Sequence, residues 1–238
     1  MQTIKFSQTV SLIREYLFPL GCAVCGQTLL NKREAWFGLC GNCYDSFPRE
    51  QRRCCSACGR PLISEAEICM NCRRTDAPAV AYDSMTLLYQ YIGRAETLLK
   101  AYKFGKHRVL ARFFSEKLIS AMNCLPSGAI WTPVPPRKGK IKTAGWDQIE
   151  HIARILEKQM NIPVFRCLKR IASKAQKTLG QSERLTNLQG RILCTKNPPE
   201  EVIVFDDVFT TGSTMDVCAR TLKSAGAKKV HGICLFYN

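Results

Sequence analysis

The chain has 238 residues, 46% of them hydrophobic, which allows one or two domains with a real core. Its formal net charge is +16, a balance suited to nucleic acid, phosphorylated ligands or acidic surfaces. No run of about 20 apolar residues could span a bilayer, and the start, MQTIKFSQTVSLIREYLFPL, lacks a signal-peptide layout because Arg14 and Glu15 break its apolar stretch, so a cytoplasmic protein is expected.

Residues 1–80 read as a cysteine-rich metal-binding domain. Of fourteen cysteines, eight fall in four C-x-x-C pairs. A reducing cytosol disfavours disulfides, so these pairs read as metal ligands. Fourteen residues separate the pair Cys22 and Cys25 from the pair Cys40 and Cys43, and ten separate Cys55 and Cys58 from Cys69 and Cys72. Two thiolates from each of two turns make the closed tetrahedral site of structural zinc. No histidine precedes His107, which excludes mixed ligand sets. The four pairs could combine sequentially or interleaved, and Cys54 adjoins Cys55, although Cys55 fits the spacing. So small a region needs the metal to fold, and zinc binding is worth on the order of 10 kcal/mol. Cys124, Cys167, Cys194, Cys218 and Cys234 are expected to be buried, inert thiols.

TDAPAVAYD (Thr75 to Asp83) reads as a linker. Beyond it, residues 81–238 alternate strand and helix signals. SMTLLYQY is a strand, RAETLLKAYKF and VLARFFSEKLISAM are amphipathic helices, and AIWTPVP is a strand stopped by prolines. WDQIEHIARILEKQM is a helix, VIVFDD a strand buried on both faces, TMDVCARTLKSAG a helix closed by Gly226, and KKVHGICLF the last strand. This alternation predicts an α/β domain with a mostly parallel sheet flanked by helices. Charge is uneven along it: between Arg137 and Lys177 there are eleven Lys/Arg against three Asp/Glu, half of the chain's net charge.

The stretch VIVFDDVFTTGSTMDV carries the chemistry. At the C-terminal end of a parallel strand, loop amides and a helix start face one crevice. Thr210, Thr211, Gly212, Ser213 and Thr214 supply N–H donors, hydroxyls and a glycine, and the helix adds its positive end, which together make an oxyanion cradle. A Walker loop is excluded because no lysine follows the glycine. Asp206 and Asp207 would repel the anion itself. They are suited to accept hydrogen bonds from hydroxyls a few ångströms away, so a sugar phosphate satisfies both halves.

VIVFDDVFTTGST closely resembles the phosphoribosyl-pyrophosphate (PRPP) signature of type I phosphoribosyltransferases. With the cysteine pairs, LLKAYKFGKHRVLA, PVPPRKGK and AQKTLGQSERLTNLQGRI, nearly the whole chain resembles the ComF family of competence-associated proteins. The resemblance implies a zinc-binding domain on a type I phosphoribosyltransferase-like fold. It also implies handling of single-stranded DNA in natural transformation, beside a helicase-like ATPase. In it, Asp206 and Asp207 hold the ribose hydroxyls, and Thr210 to Thr214 hold the 5′-phosphate. Arg137 and Lys138 occupy the pyrophosphate loop, while Gln176, Leu179, Arg184 and Asn187 belong to a mobile loop. The family's Arg-Gly-Phe-Asn-Gln run reads AGWDQ here (Ala144 to Gln148), which removes a cation and places the acid Asp147 near a polyanionic ligand. Lys140 and Lys142 stand close enough in sequence to compensate.

Such a site would displace pyrophosphate from the anomeric carbon by positioning and electrostatics. Mg²⁺, Arg137, Lys138 and Lys103 would neutralise the leaving group, and closure of the loop at Gln176–Arg184 would exclude water. Trp146 reads either as a base-stacking ring or as a core anchor at a helix start. No acceptor is legible. The alternative to a transferase is a non-catalytic protein that binds nucleic acid, or a scaffold that docks a competence helicase through its zinc domain.

Overall fold

The computed structural model describes residues 20–47, 53–62, 67–73, 79–136, 145–171 and 192–238. Its elements in chain order are α1 (Lys32–Phe37), α2 (Gly41–Asp45), α3 (Met70–Arg73), β1 (Ser84–Gln90), α4 (Arg94–Lys103), α5 (Leu110–Ser120), β2 (Ile130–Pro133), α6 (Gln148–Met160), β3 (Leu168–Arg170), β4 (Ile192–Cys194), β5 (Glu201–Phe209), α7 (Ser213–Ser224) and β6 (Lys229–Tyr237). They form two compact units. One comprises Met1–Pro48 with Ile92–Phe113, the other Arg49–Tyr91 with Phe114–Asn238. This grouping differs from a chain-order division at residue 80, because the second cysteine cluster belongs to the same unit as the sheet.

In the first unit, Cys22 and Cys25 lie on a turn closed by Gly26 N–H to Cys22 O, 2.9 Å. Helix α1 starts where Asn31 accepts a bond from Glu34 N. The Glu34 carboxylate then takes bonds from Leu30 N at 2.6 Å and Gly41 N at 2.9 Å. These two amides hold its pKa below the ordinary carboxylate value and tie the two cysteine turns together. Phe37, Tyr44, Phe47 and Phe113 form an aromatic cluster with ring centroids 5.2–5.6 Å apart.

The second unit is built on a four-stranded sheet in the order β1-β6-β5-β2, all parallel. The expected strands and helices of the α/β region are present, with one extension: β5 runs past the acids to Phe209, paired there with Tyr237 of β6. Alternation along β5 sends Val202 and Val204 into a core with Met215, Val217, Cys218 and Leu222 of α7. Phe205 lies on the other face against Trp131, 5.8 Å between centroids. A strand covered on both faces needs an unbroken apolar run, and VIVF supplies it. The antiparallel pair β3–β4 was not legible: three-residue strands reading LKR and ILC are too short for a period-2 pattern.

The second cysteine cluster is part of this core. Cys55 and Cys58 are buried with Met85, Leu87, Val204 and Cys234. The contact is close because Gly59 has no side chain: at its φ of +73° a Cβ would sit 2.2 Å from the Met85 carbonyl oxygen. The connector into β1 is held to α7 and β6. Ala81 N donates to Asp216 Oδ1, Val230 N donates to Asp83 Oδ2, and Lys223 pairs with Asp83 at 2.9 Å. Burial opposes ionisation of Asp83, but the Val230 amide and Lys223 outweigh it and hold its pKa below the ordinary value.

Both cysteine clusters fit a tetrahedral metal. The four Sγ atoms of Cys22, Cys25, Cys40 and Cys43 lie within 4.8 Å of one another, as do those of Cys55, Cys58, Cys69 and Cys72. The pairing is therefore sequential, and Cys55 rather than Cys54 is the ligand. The Cys25–Cys40 and Cys58–Cys69 sulfurs are 3.6 and 3.7 Å apart, against the edge of about 3.8 Å that Zn–S bonds of about 2.3 Å produce. Burial disfavours a thiolate at Cys22 and Cys55, yet backbone N–H bonds from the knuckle turns overcome it and bring each down to about 7. Cys69 N donates to Cys55 Sγ at 3.3 Å. Amides aimed at sulfur prepare the site for a cation.

Two outcomes follow. Gly59→Ala should destabilise the protein by about 3 kcal/mol or more, from left-handed strain and overpacking, read from urea melts. An unchanged midpoint would contradict the packing. Metal analysis of purified protein should give two zinc ions per chain, and one after either Cys22→Ser or Cys55→Ser. Loss of both ions from a single substitution would contradict two separate four-cysteine sites.

Candidate functional site

The parallel strands of the second unit all point their C-terminal ends the same way, and the candidate site lies where β5 ends. Pairing continues beyond β2 through Val134 N to Phe205 O, 3.0 Å. This draws Val134, Pro135 and Pro136 alongside β5 just before the acids. Arg137 and Lys138, the next residues, lie outside the described residues. So do Lys140, Lys142, Ala144, Gln176, Leu179, Arg184 and Asn187. Lys103 ends α4, in the other compact unit.

After Phe209 the chain turns through exposed Thr210 and Thr211 to Gly212. Gly212 has φ +78°, and a Cβ there would lie 2.8 Å from the Phe209 ring. Only glycine combines that conformation with that approach. The turn feeds α7, whose N-cap Gly212 gives no side-chain bond to the first-turn amides. Thr211 Oγ1 and Ser213 Oγ are 2.7 Å apart. The result is a short arc of hydroxyls and backbone donors at a positive helix end, suited to an oxyanion.

The two acids do not share one environment. Asp206 is half-buried, and its Oδ1 accepts from Asp207 N at 2.8 Å. By alternation it lies on the α7 face, and there its charge adds to the burial that raises the Cys218 thiol pKa. Asp207 is only 7% exposed and lies on the α6 face, where Gln148 Nε2 donates to its Oδ2 at 3.0 Å. The carboxylates thus flank the strand end from opposite sides.

Gln148 reaches Asp207 because Asp147 starts the helix that carries it. The Asp147 carboxylate accepts from Ile149 N at 3.0 Å and Glu150 N at 3.1 Å, and the residue is buried. Asp147 thus caps the first turn of its own helix, where a negative charge is favoured. Trp146 is half-buried, edge-on to His151 at 6.0 Å.

One residue at the site has no sequence signal. Arg60, which follows Cys58 and Gly59 in the second cysteine cluster, donates from Nη2 to Thr210 O at 2.6 Å and to Asn238 O at 2.8 Å. Its guanidinium also stands 5.7 Å from the Phe209 ring centroid. These partners are 150 and more residues away along the chain, and an arginine after a zinc knuckle is ordinary.

Residues 13–73 match the double zinc ribbon domain, in agreement with two structural zinc sites. The chain is 28% identical over 210 residues to competence protein F of Haemophilus influenzae, covering 81% of this chain and 87% of that one. It is 27% identical to competence protein ComFC of Bacillus subtilis, covering 79% of each, and 25% identical to ComFC of Streptococcus pneumoniae, covering 88% and 96%. Among solved structures, a Trypanosoma cruzi hypoxanthine phosphoribosyl transferase superposes with a TM-score of 0.35 at 14% identity, over 55% of this chain and 64% of that one, just under two thirds of its length. No helix among the described residues is long and apolar enough to cross a membrane. Two sequential four-cysteine sites, a parallel sheet whose strand β5 runs through Asp206 and Asp207 to Phe209, and likeness to three competence proteins over most of their length make this chain similar to the ComF competence proteins.

Proposed function

We propose that the chain binds PRPP, or a closely related phosphoribosyl ligand, at the end of β5. The observation that carries this reading is the helix start of α7 behind the Thr210–Gly212 bend, where Gly212 gives no side-chain cap and Ser213 N makes a long 3.4 Å bond to Thr211 Oγ1. Loop amides and the hydroxyls of Thr211, Ser213 and Thr214 take the 5′-phosphate. Asp206 and Asp207 take the ribose hydroxyls from either side of the strand end. The Gln148 bond orients the Asp207 carboxylate. Bound Mg²⁺ would supply charge neutralisation on phosphate oxygens. Arg137 and Lys138, after the Pro135–Pro136 segment, would hold the pyrophosphate. With an acceptor in place, the anomeric C–O bond to pyrophosphate breaks as the acceptor bonds to that carbon.

The same fold serves DNA handling in this reading. The stretch 137–177 carries eleven cations against three anions, a charge excess that supports single-stranded DNA as a partner. That affinity should fall steeply with salt as counterions are released. In filter binding, an affinity that stays flat from low to moderate salt would exclude this partner.

Calorimetry with PRPP and Mg²⁺ tests the ligand. Wild type should bind, and Asp207→Asn should bind about 10- to 100-fold more weakly, the loss expected for a hydrogen bond to a charged group. Absence of heat with wild type would refute the PRPP reading.

A further inference from the structure

The second cysteine cluster sits in the core of the unit that carries the loop, and Arg60 connects the two. Its backbone is fixed by the knuckle turn: Gly59 N donates to Cys55 O and Cys55 N donates to Arg60 O, both 2.8 Å. A Cβ at Gly59 would lie 2.2 Å from the Met85 carbonyl oxygen, so the turn packs against β1 only as glycine. From this base the guanidinium reaches the Thr210 carbonyl at 2.6 Å and the Asn238 main-chain oxygen at 2.8 Å. Asn238 N in turn donates to Phe209 O at 3.1 Å. Arg60 Nε is buried and has no partner among the described residues, a cost that shows the side chain is held in place by its Nη2 bonds and packing.

The bond to Thr210 has a chemical consequence. Thr210 C=O and Thr211 N–H belong to one peptide group. A cation on the oxygen polarises that group and makes the N–H a stronger donor. It also turns the carbonyl, which would repel an anion, toward a positive charge. We propose that Arg60 is a positioning residue for the Thr210–Thr214 loop, and that through it the knuckle turn of the second cysteine cluster supports anion affinity at the end of β5. The second half of this proposal rests on the sugar-phosphate reading of that loop. Cys55, Cys58, Cys69 and Cys72 would hold a metal that braces the knuckle turn. The turn aims Arg60, and Arg60 fixes the peptide on which the first loop donor sits.

The test uses full-length protein as wild type, Arg60→Ala and Arg60→Lys, all with zinc content measured. Amide hydrogen exchange is read across the chain, and PRPP with Mg²⁺ is titrated by calorimetry. In Arg60→Ala, peptides covering Thr210–Thr214 should exchange about tenfold faster, the change expected on losing a charge-assisted bond. Peptides covering β5 and β6 upstream of the loop should keep wild-type rates, and two zinc ions should remain. PRPP affinity should fall about tenfold. Arg60→Lys keeps the charge without the planar fork and should recover part of both losses. Wild-type exchange at the loop in Arg60→Ala would overturn the positioning role, whatever PRPP does. Faster exchange over the whole unit would also overturn it, because it would mark a purely structural arginine. If exchange changes as expected while wild type gives no heat with PRPP, the positioning role stands, and the ligand reading and the affinity half of the proposal fall together.

Discussion

A parallel strand covered on both faces has only its ends left for chemistry, and everything distinctive about this protein follows from that constraint on β5. Its interior, Val202 to Phe205, is sealed by α7 on one side and by Trp131 on the other. Polar groups can appear only where the cover stops, and Asp206 and Asp207 appear there. The same geometry gives the turn after Phe209 an open helix start to face. Burial of the strand and exposure of the loop are therefore two aspects of one arrangement.

Support for that strand end comes from separate parts of the chain. Asp147 spends its charge on starting α6, which delivers Gln148 to Asp207. The Pro135–Pro136 segment is led in by the Val134–Phe205 bond. Arg60 comes from the cysteine-rich region. Each contribution is a small number of hydrogen bonds anchored on rigid elements, the usual way a loop site is kept in shape.

Much of this was legible in the sequence, for identifiable reasons. C-x-x-C pairs report their own chemistry, so the eight ligands could be named. Their partition into two sequential sites could not, because spacing does not encode which turns meet. The strands and helices of the α/β unit announced themselves through periodicity and through Gly and Pro punctuation. The loop after β5 was readable because glycine, hydroxyls and a helix start occur together. Other features were hidden as well. β5 continues through the acids, since pairing with β6 overrides the local signal, and this sends Asp206 and Asp207 to opposite faces. Asp147 is a helix cap, which its side-chain charge alone conceals. Arg60 meets Thr210 across 150 positions, and only the folded chain can reveal that.

The order of strands has a consequence for synthesis. β1 pairs only with β6 among the described strands, joining Ser84 to His231 and Gln90 to Tyr237. On the ribosome, β1 emerges early and waits for nearly the whole remaining chain before its edge is satisfied. The cysteine knuckles need only local residues and a metal ion, so they are complete long before. Closure of the sheet waits for β6, and until then the exposed β1 edge is where a nascent chain would need protection from aggregation.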